Sequence, residues 1–106
     1  MSHVLGGRLH GYRNRALAFT IDVDTDEDAA DWSSVVWRIG STLEIDGLTP
    51  VDGGSGVTVD VDLTAAQLAL PAGRYRWELV ATIDSQVRTR GVGWFLLDPE
   101  PTTPPS

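Results

Sequence analysis

The strongest constraint on the fold lies in the last third of the chain, Leu63 to Asp98, "LTAAQLALPAGRYRWELVATIDSQVRTRGVGWFLLD". Tyr75, Trp77, Leu79, Ala81 and Ile83 alternate with Arg74, Arg76, Glu78, Val80 and Thr82, the period-2 pattern of a strand buried on one face. After Asp84-Ser85-Gln86 the alternation resumes, with Val87, Thr89, Gly91, Gly93, Phe95 and Leu97 on one parity. A three-residue loop at 84–86 sets Trp77 opposite Gly93 and Leu79 opposite Gly91. Glycine inside a strand weakens it. Opposite a buried indole, however, the missing side chains leave room for the ring, so the register accounts for both glycines.

"LPAGRY" before this hairpin resembles the tyrosine corner of immunoglobulin-like sandwiches, in which a Tyr after a tight turn bonds back to the backbone. Tyr75 takes that role here, with Pro71 and Gly73 shaping the turn. Trp77 stands two residues on, where antibody domains carry Cys. The chain has no Cys, so apolar burial must replace an inter-sheet disulfide.

Upstream, the runs are short and regularly punctuated. Residues 1–11 read as an N-terminal arm or edge strand. From residue 12 to 23, Arg15, Leu17, Phe19, Ile21 and Val23 share one parity. The acidic loop "DVDTDEDAAD" follows, then a strand around Ser34–Ile39 with Val35, Trp37 and Ile39 inward, and a short strand near Thr42–Asp46. "DGLTPVDGGSG" reads as a loop, and Val57, Val59, Val61 and Leu63 as a further half-buried strand. Only Thr64–Leu70 looks helical, one turn capped by Thr64. The expectation is an all-β, immunoglobulin-like antiparallel β-sandwich with one short helical turn, over residues 12–98. At least six strands should bury Phe19, Trp37, Val59, Val61, Tyr75, Trp77, Leu79 and Phe95. The Pro-rich segment 99–106 is expected to be a C-terminal arm.

The order of these motifs, ending in L-T-x-x-x-L-x-x-P-x-G-x-Y-x-W-x-L and a hairpin closing on G-x-F, resembles the N-terminal sandwich domain of siphophage baseplate upper proteins. It is likewise similar to related virion modules of tailed phages. The matching residues are Val59, Val61, Leu63, Thr64, Leu68, Gly73, Tyr75, Trp77, Leu79, Gly93 and Phe95. The resemblance implies a tail, baseplate, neck or capsid-surface component, assembled in many copies with other virion proteins in a host cytoplasm. Every matching residue is structural, so no functional residue carries over. The receptor-binding and trimerising C-terminal region of that family has no counterpart in the 106 residues.

Composition narrows the chemistry. Fifteen acidic residues against eight basic ones give a net charge of −7, which disfavours phosphate-rich partners, whether nucleic acid or anionic membrane. No run reaches the ~20 apolar residues of a membrane span, and the first fifteen residues lack the apolar core of a signal peptide. All eight basic residues are Arg. Genomic base composition accounts for that, while Arg also suits protein interfaces better than Lys.

The possible catalytic and metal centres are weak. Asp22, Asp24 and Asp26 begin like a calcium loop, but positions six and twelve hold Glu27 and Ser33 instead of Gly and Glu. A solvated acidic loop is the simpler reading, a weak Ca²⁺ site the other. His3 and His10 lack metal-pair spacing and have no Cys to join. Asp60, Asp62 and Glu78 read as strand-borne surface acids rather than an acid/base pair. No nucleophilic triad, P-loop or dinucleotide fingerprint appears. The expectation is no enzyme, no cofactor and no metal.

The outer face of the final hairpin stands out. In the three-residue-loop register Arg76 faces Trp94, Arg74 faces Leu96, Glu78 faces Val92 and Arg90 faces Val80. A protein interface built of Arg76, Val80, Arg90, Val92, Trp94 and Leu96 is therefore expected, with Arg–Trp cation–π pairing across the strands. Covering of this face by residues 1–10 or by the C-terminal arm is the competing reading. A carbohydrate-binding module using Trp32 and Trp94 as stacking platforms is the alternative function, although Val80, Val92 and Leu96 suit a sugar poorly.

Overall fold

The computed structural model describes residues 7–54 and 56–99. The described residues form eight strands: β1 (Gly7–Tyr12), β2 (Leu17–Asp24), β3 (Trp32–Ile39), β4 (Leu43–Leu48), β5 (Pro50–Asp52), β6 (Gly56–Leu63), β7 (Gly73–Ile83) and β8 (Gln86–Asp98). One sheet has the order β1-β8-β7-β3-β4 and the other β2-β6-β5, and the two form a curled half-barrel. Strand alternation places one parity of each strand between the sheets. Ile21, Val23, Val57, Val59, Val61 and Leu63 come from the smaller sheet, and Trp37, Ile39, Trp77, Leu79, Phe95 and Leu97 from the larger. Trp37 is the hub: Phe19, Trp77 and Phe95 have ring centroids 5.4, 6.4 and 6.2 Å from it. Of the expected core residues, Phe19 and Tyr75 are only half-buried and the others are buried.

The corner before β7 takes the expected form. The Tyr75 hydroxyl donates to the Pro71 carbonyl, four residues upstream. Thr64 caps the turn before it reciprocally: its Oγ1 accepts from Gln67 N at 3.2 Å, and its own N donates to Gln67 Oε1 at 2.8 Å. This is a capping box on a single turn. Residues 65–68 stay a hydrogen-bonded turn, and a short 3-10 helix forms instead at Ala29–Asp31, inside the acidic loop.

Four features depart from the sequence reading. The fold is not wholly antiparallel, because β1 pairs with β8 in parallel, Arg8 beside Trp94 and Tyr12 beside Asp98. After Tyr12, a turn held by Arg13 N to Asp98 O (2.9 Å) and Asn14 N to Leu68 O (3.1 Å) carries the chain across to the other sheet. The run assigned to one strand from residue 12 is thus split between two sheets. Second, Pro50–Asp52, within the expected loop, forms β5 on β6. Third, β3 begins two residues earlier, with a bulge after Ser33 and Ser34 at φ +51°. The extra residue flips parity, so Trp32 and Val35 both face the core.

The fourth concerns the hairpin loop. It has two residues rather than three: Asp84 and Ser85, with φ of 52° and 65°, join Ile83 to Gln86, the conformation of a type I′ turn. A bulge between the Leu79–Gly91 and Val80–Thr89 pairs then adds one residue on β8. Beyond the bulge the register is that of a three-residue loop, and Trp77 pairs with Gly93. Before it, Val80 pairs with Thr89 instead of Arg90.

Candidate protein-binding face

The outer face of the β1-β8-β7 layer carries two rows of side chains. Arg8, Trp94 and Arg76 lie in register across the three strands, and His10, Leu96 and Arg74 form the next row. Strand β1 extends the sheet beside β8 instead of folding over it, so residues 7–12 enlarge this face. The role proposed for residues 1–6 and 100–106 in covering it lies outside the described residues, as do His3 and nearly all of the C-terminal arm. Trp94 is 45% exposed and Leu96 39% exposed, large apolar side chains left open to solvent. Together with Arg8 and Arg74 they line a shallow hollow of ≈ 200 Å³.

The cation–π contact pairs a different arginine from the one directly opposite. Arg74, diagonal to Trp94, holds its guanidinium 5.1 Å from the indole centroid, while Arg76 is exposed on the same surface. Diagonal neighbours are within reach of long side chains. Arg8 and Tyr12, both exposed, complete the face. Neither was legible in the sequence, because a parallel partner for β8 leaves no turn signal.

Two of the expected interface residues are placed elsewhere. Val80 is 5% exposed; it lies between Val36 on β3 and Thr89 on β8 and offers almost no surface. Arg90 is the extra residue of the β8 bulge, and its guanidinium reaches the acidic loop. Nε donates to Glu27 Oε1 at 2.9 Å, and Nη2 to Oε2 at 2.6 Å. This bidentate geometry is the strong form of an ion pair. Val92 is half-buried beside Glu78, which itself pairs with Arg38 at 2.9 Å. The accessible face thus comprises Arg8, Arg74, Arg76, Trp94, Leu96 and Tyr12, with His10, held by Asp98 at 2.6 Å, among them.

Glu27 is the organising residue of the acidic loop. Besides Arg90 it accepts from Trp32 Nε1 at 3.1 Å and from Thr25 Oγ1 at 3.3 Å. Trp32 is 4% exposed, which removes it as a stacking platform. The Arg90 hydrogen bond, against opposing desolvation, holds the Glu27 carboxyl below its ordinary value of 4.5. Asp52 Oδ1 accepts from Ala29 N at 2.7 Å and ties the 3-10 turn to β5. Among the described residues no group of three or more His, Asp or Glu is arranged to hold a metal ion. Asp60 and Asp62 lie on the outer face of the smaller sheet and Glu78 on that of the larger, so these three carboxylates do not meet.

The clamp has a pH signature. A lowered folded-state pKa contributes stability that is present above the unfolded pKa and lost as pH falls through the folded one. Glu27→Gln should therefore cost about 1–2 kcal/mol at neutral pH. The gap to wild type should close as pH falls below the ordinary carboxylate range. Thermal melts of both proteins from neutral to acid pH measure it; a gap that stays constant with pH removes the electrostatic account.

No protein-family model matches the chain, and no curated protein does.

Proposed function

We propose that this chain is an immunoglobulin-like structural module of a tailed-phage virion, acting through protein–protein contacts on its β1-β8-β7 face. The strand order supports the immunoglobulin-like reading: β2-β6-β5 stands for the B, E and D strands, and β8-β7-β3-β4 for G, F, C and C′. A buried Trp on the third strand of the sandwich, Trp37, and a tyrosine corner opening β7 fit the same plan. The virion assignment itself rests on the resemblance in sequence.

The observation that carries the contact reading is Trp94. A half-exposed indole beside Leu96, flanked by Arg8, Arg74 and Arg76 on a rigid sheet, has the composition of an interaction hot spot. Carbohydrate binding is the weaker alternative, because Trp32 is committed to the core and Trp94 keeps arginine and aliphatic neighbours.

The test is made on particles. Mass spectrometry of purified virions from the encoding phage should find the chain in many copies, and Trp94→Ala should lower its incorporation. At a typical hot spot that truncation costs about 2 kcal/mol, roughly a thirtyfold loss in affinity. Absence of the chain from particles removes the virion assignment, and normal incorporation of Trp94→Ala removes this face from the contact.

A further inference from the structure

The outer side of the smaller sheet is acidic, whereas the larger sheet, whose outer side also carries Glu44, Glu78 and Asp98, gathers arginines in one patch around Trp94. Strands β2, β5 and β6 contain no basic residue at all, and their outer side presents Asp22, Asp60 and Asp62 among Ala18, Thr20 and Thr58. The other sheet turns outward Arg8, Arg74 and Arg76 around Trp94. Among the described residues none of these three arginines forms an ion pair. An open hollow at the end of the acidic face is lined by Leu17, Ala18, Leu63 and Ala65, with Asp62 at its side. It supplies an apolar floor next to a carboxylate, which is what an indole flanked by guanidinium groups requires.

We infer that the occupant of the Arg–Trp face is a second copy of this chain, docked through its β2-β6 face, so that copies associate head to tail. This rests on the proposed assembly role and names its first partner. A face-to-face dimer is disfavoured, because it brings Arg8, Arg74 and Arg76 of both copies together, and like charges in contact oppose association. The complementary pairing uses two different patches, so a pair of copies keeps one of each free and the contact propagates into a ring or filament. The net charge of −7 opposes approach at long range. At physiological salt the Debye length of about 8 Å screens that repulsion, whereas charges in contact keep their attraction.

The experiment is sedimentation velocity on the full chain at physiological salt over a series of concentrations. Wild type should form species larger than a dimer as concentration rises. Arg74→Ala/Arg76→Ala disables one face and Asp60→Asn/Asp62→Asn the other; all four positions are exposed, and circular dichroism checks that both variants stay folded. Each variant alone should self-associate at least tenfold more weakly. Their equimolar mixture should form heterodimers and nothing larger, since each contributes one intact face. A wild type that stays monomeric throughout overturns the inference, as does a mixture that stays monomeric or an Asp variant that associates like wild type. The two readings fail separately. A monomeric wild type whose particle incorporation still depends on Trp94 leaves the virion role standing with another partner. Head-to-tail assembly of a chain absent from particles leaves only the self-docking.

Discussion

Trp77→Ala should lower the stability of this domain by about 3–5 kcal/mol, which for a chain of this size shifts the melting midpoint by about 15 °C or more. The indole is fully buried, opposite Gly93, which offers no side chain, and against Trp37. Among the described residues the indole N–H groups of Trp37 and Trp77 have no acceptor, and a buried donor left without a partner is costly. Trp77→Phe should therefore cost much less than Trp77→Ala, since it deletes an unpaired donor while keeping most of the ring. Trp94→Ala, on the outside of the same hairpin, should cost the monomer under about 1 kcal/mol, mainly the Arg74 cation–π contact. Chemical denaturation of the three variants measures the order. Equal losses for Trp77→Ala and Trp94→Ala would mean that the inner and outer faces of β7 and β8 are misassigned.

That order was readable from the sequence because a large side chain and a glycine had to answer one another across the hairpin. The pairing of Trp77 with Gly93 came out correctly although the loop did not. Asp84-Ser85 is not the Asn-Gly or Asp-Gly pair that announces a type I′ turn, and the bulge restored by one residue what the shorter loop removed. Between loop and bulge every pair shifts by one residue, so that Val87 and Thr89 turn outward, Val80 is buried and Arg90 is drawn to the acidic loop. Glu27 was hidden differently. In a run of six acids no local signal marks the one that meets a guanidinium 63 residues away. β5 was missed because Pro, Asp and Gly around Val51 read as a loop, and three residues show no period. The face beside Trp94 was half legible: β7 and β8 supplied Arg76 and Leu96, but Arg8 arrives on a parallel strand whose pairing depends on tertiary structure alone.

The second large effect is expected at a residue with no side chain. In Gly56→Ala the new Cβ stands 1.9 Å from the Val23 carbonyl oxygen and 2.8 Å from the Thr25 amide nitrogen. Both neighbours are backbone and cannot rotate away as a flexible side chain does. Gly56 opens β6 opposite Asp24, the last residue of β2, so the strand end must move as a unit. Overpacking of this kind costs typically 1–3 kcal/mol, and with backbone as the obstacle we expect about 3 kcal/mol. Gly54→Ala, two residues earlier, meets nothing within 4 Å and should change stability by less than about 0.5 kcal/mol. The displacement should also reach the acidic loop, because Thr25 leads directly into Glu27. Loosening that loop weakens the Glu27–Arg90 clamp, so Gly56→Ala and Glu27→Gln should be less than additive when combined. Denaturation of the two single variants and the double variant gives the coupling. A Gly56→Ala protein as stable as Gly54→Ala would show that β6 does not begin against the end of β2, and full additivity would confine the damage to the strand end.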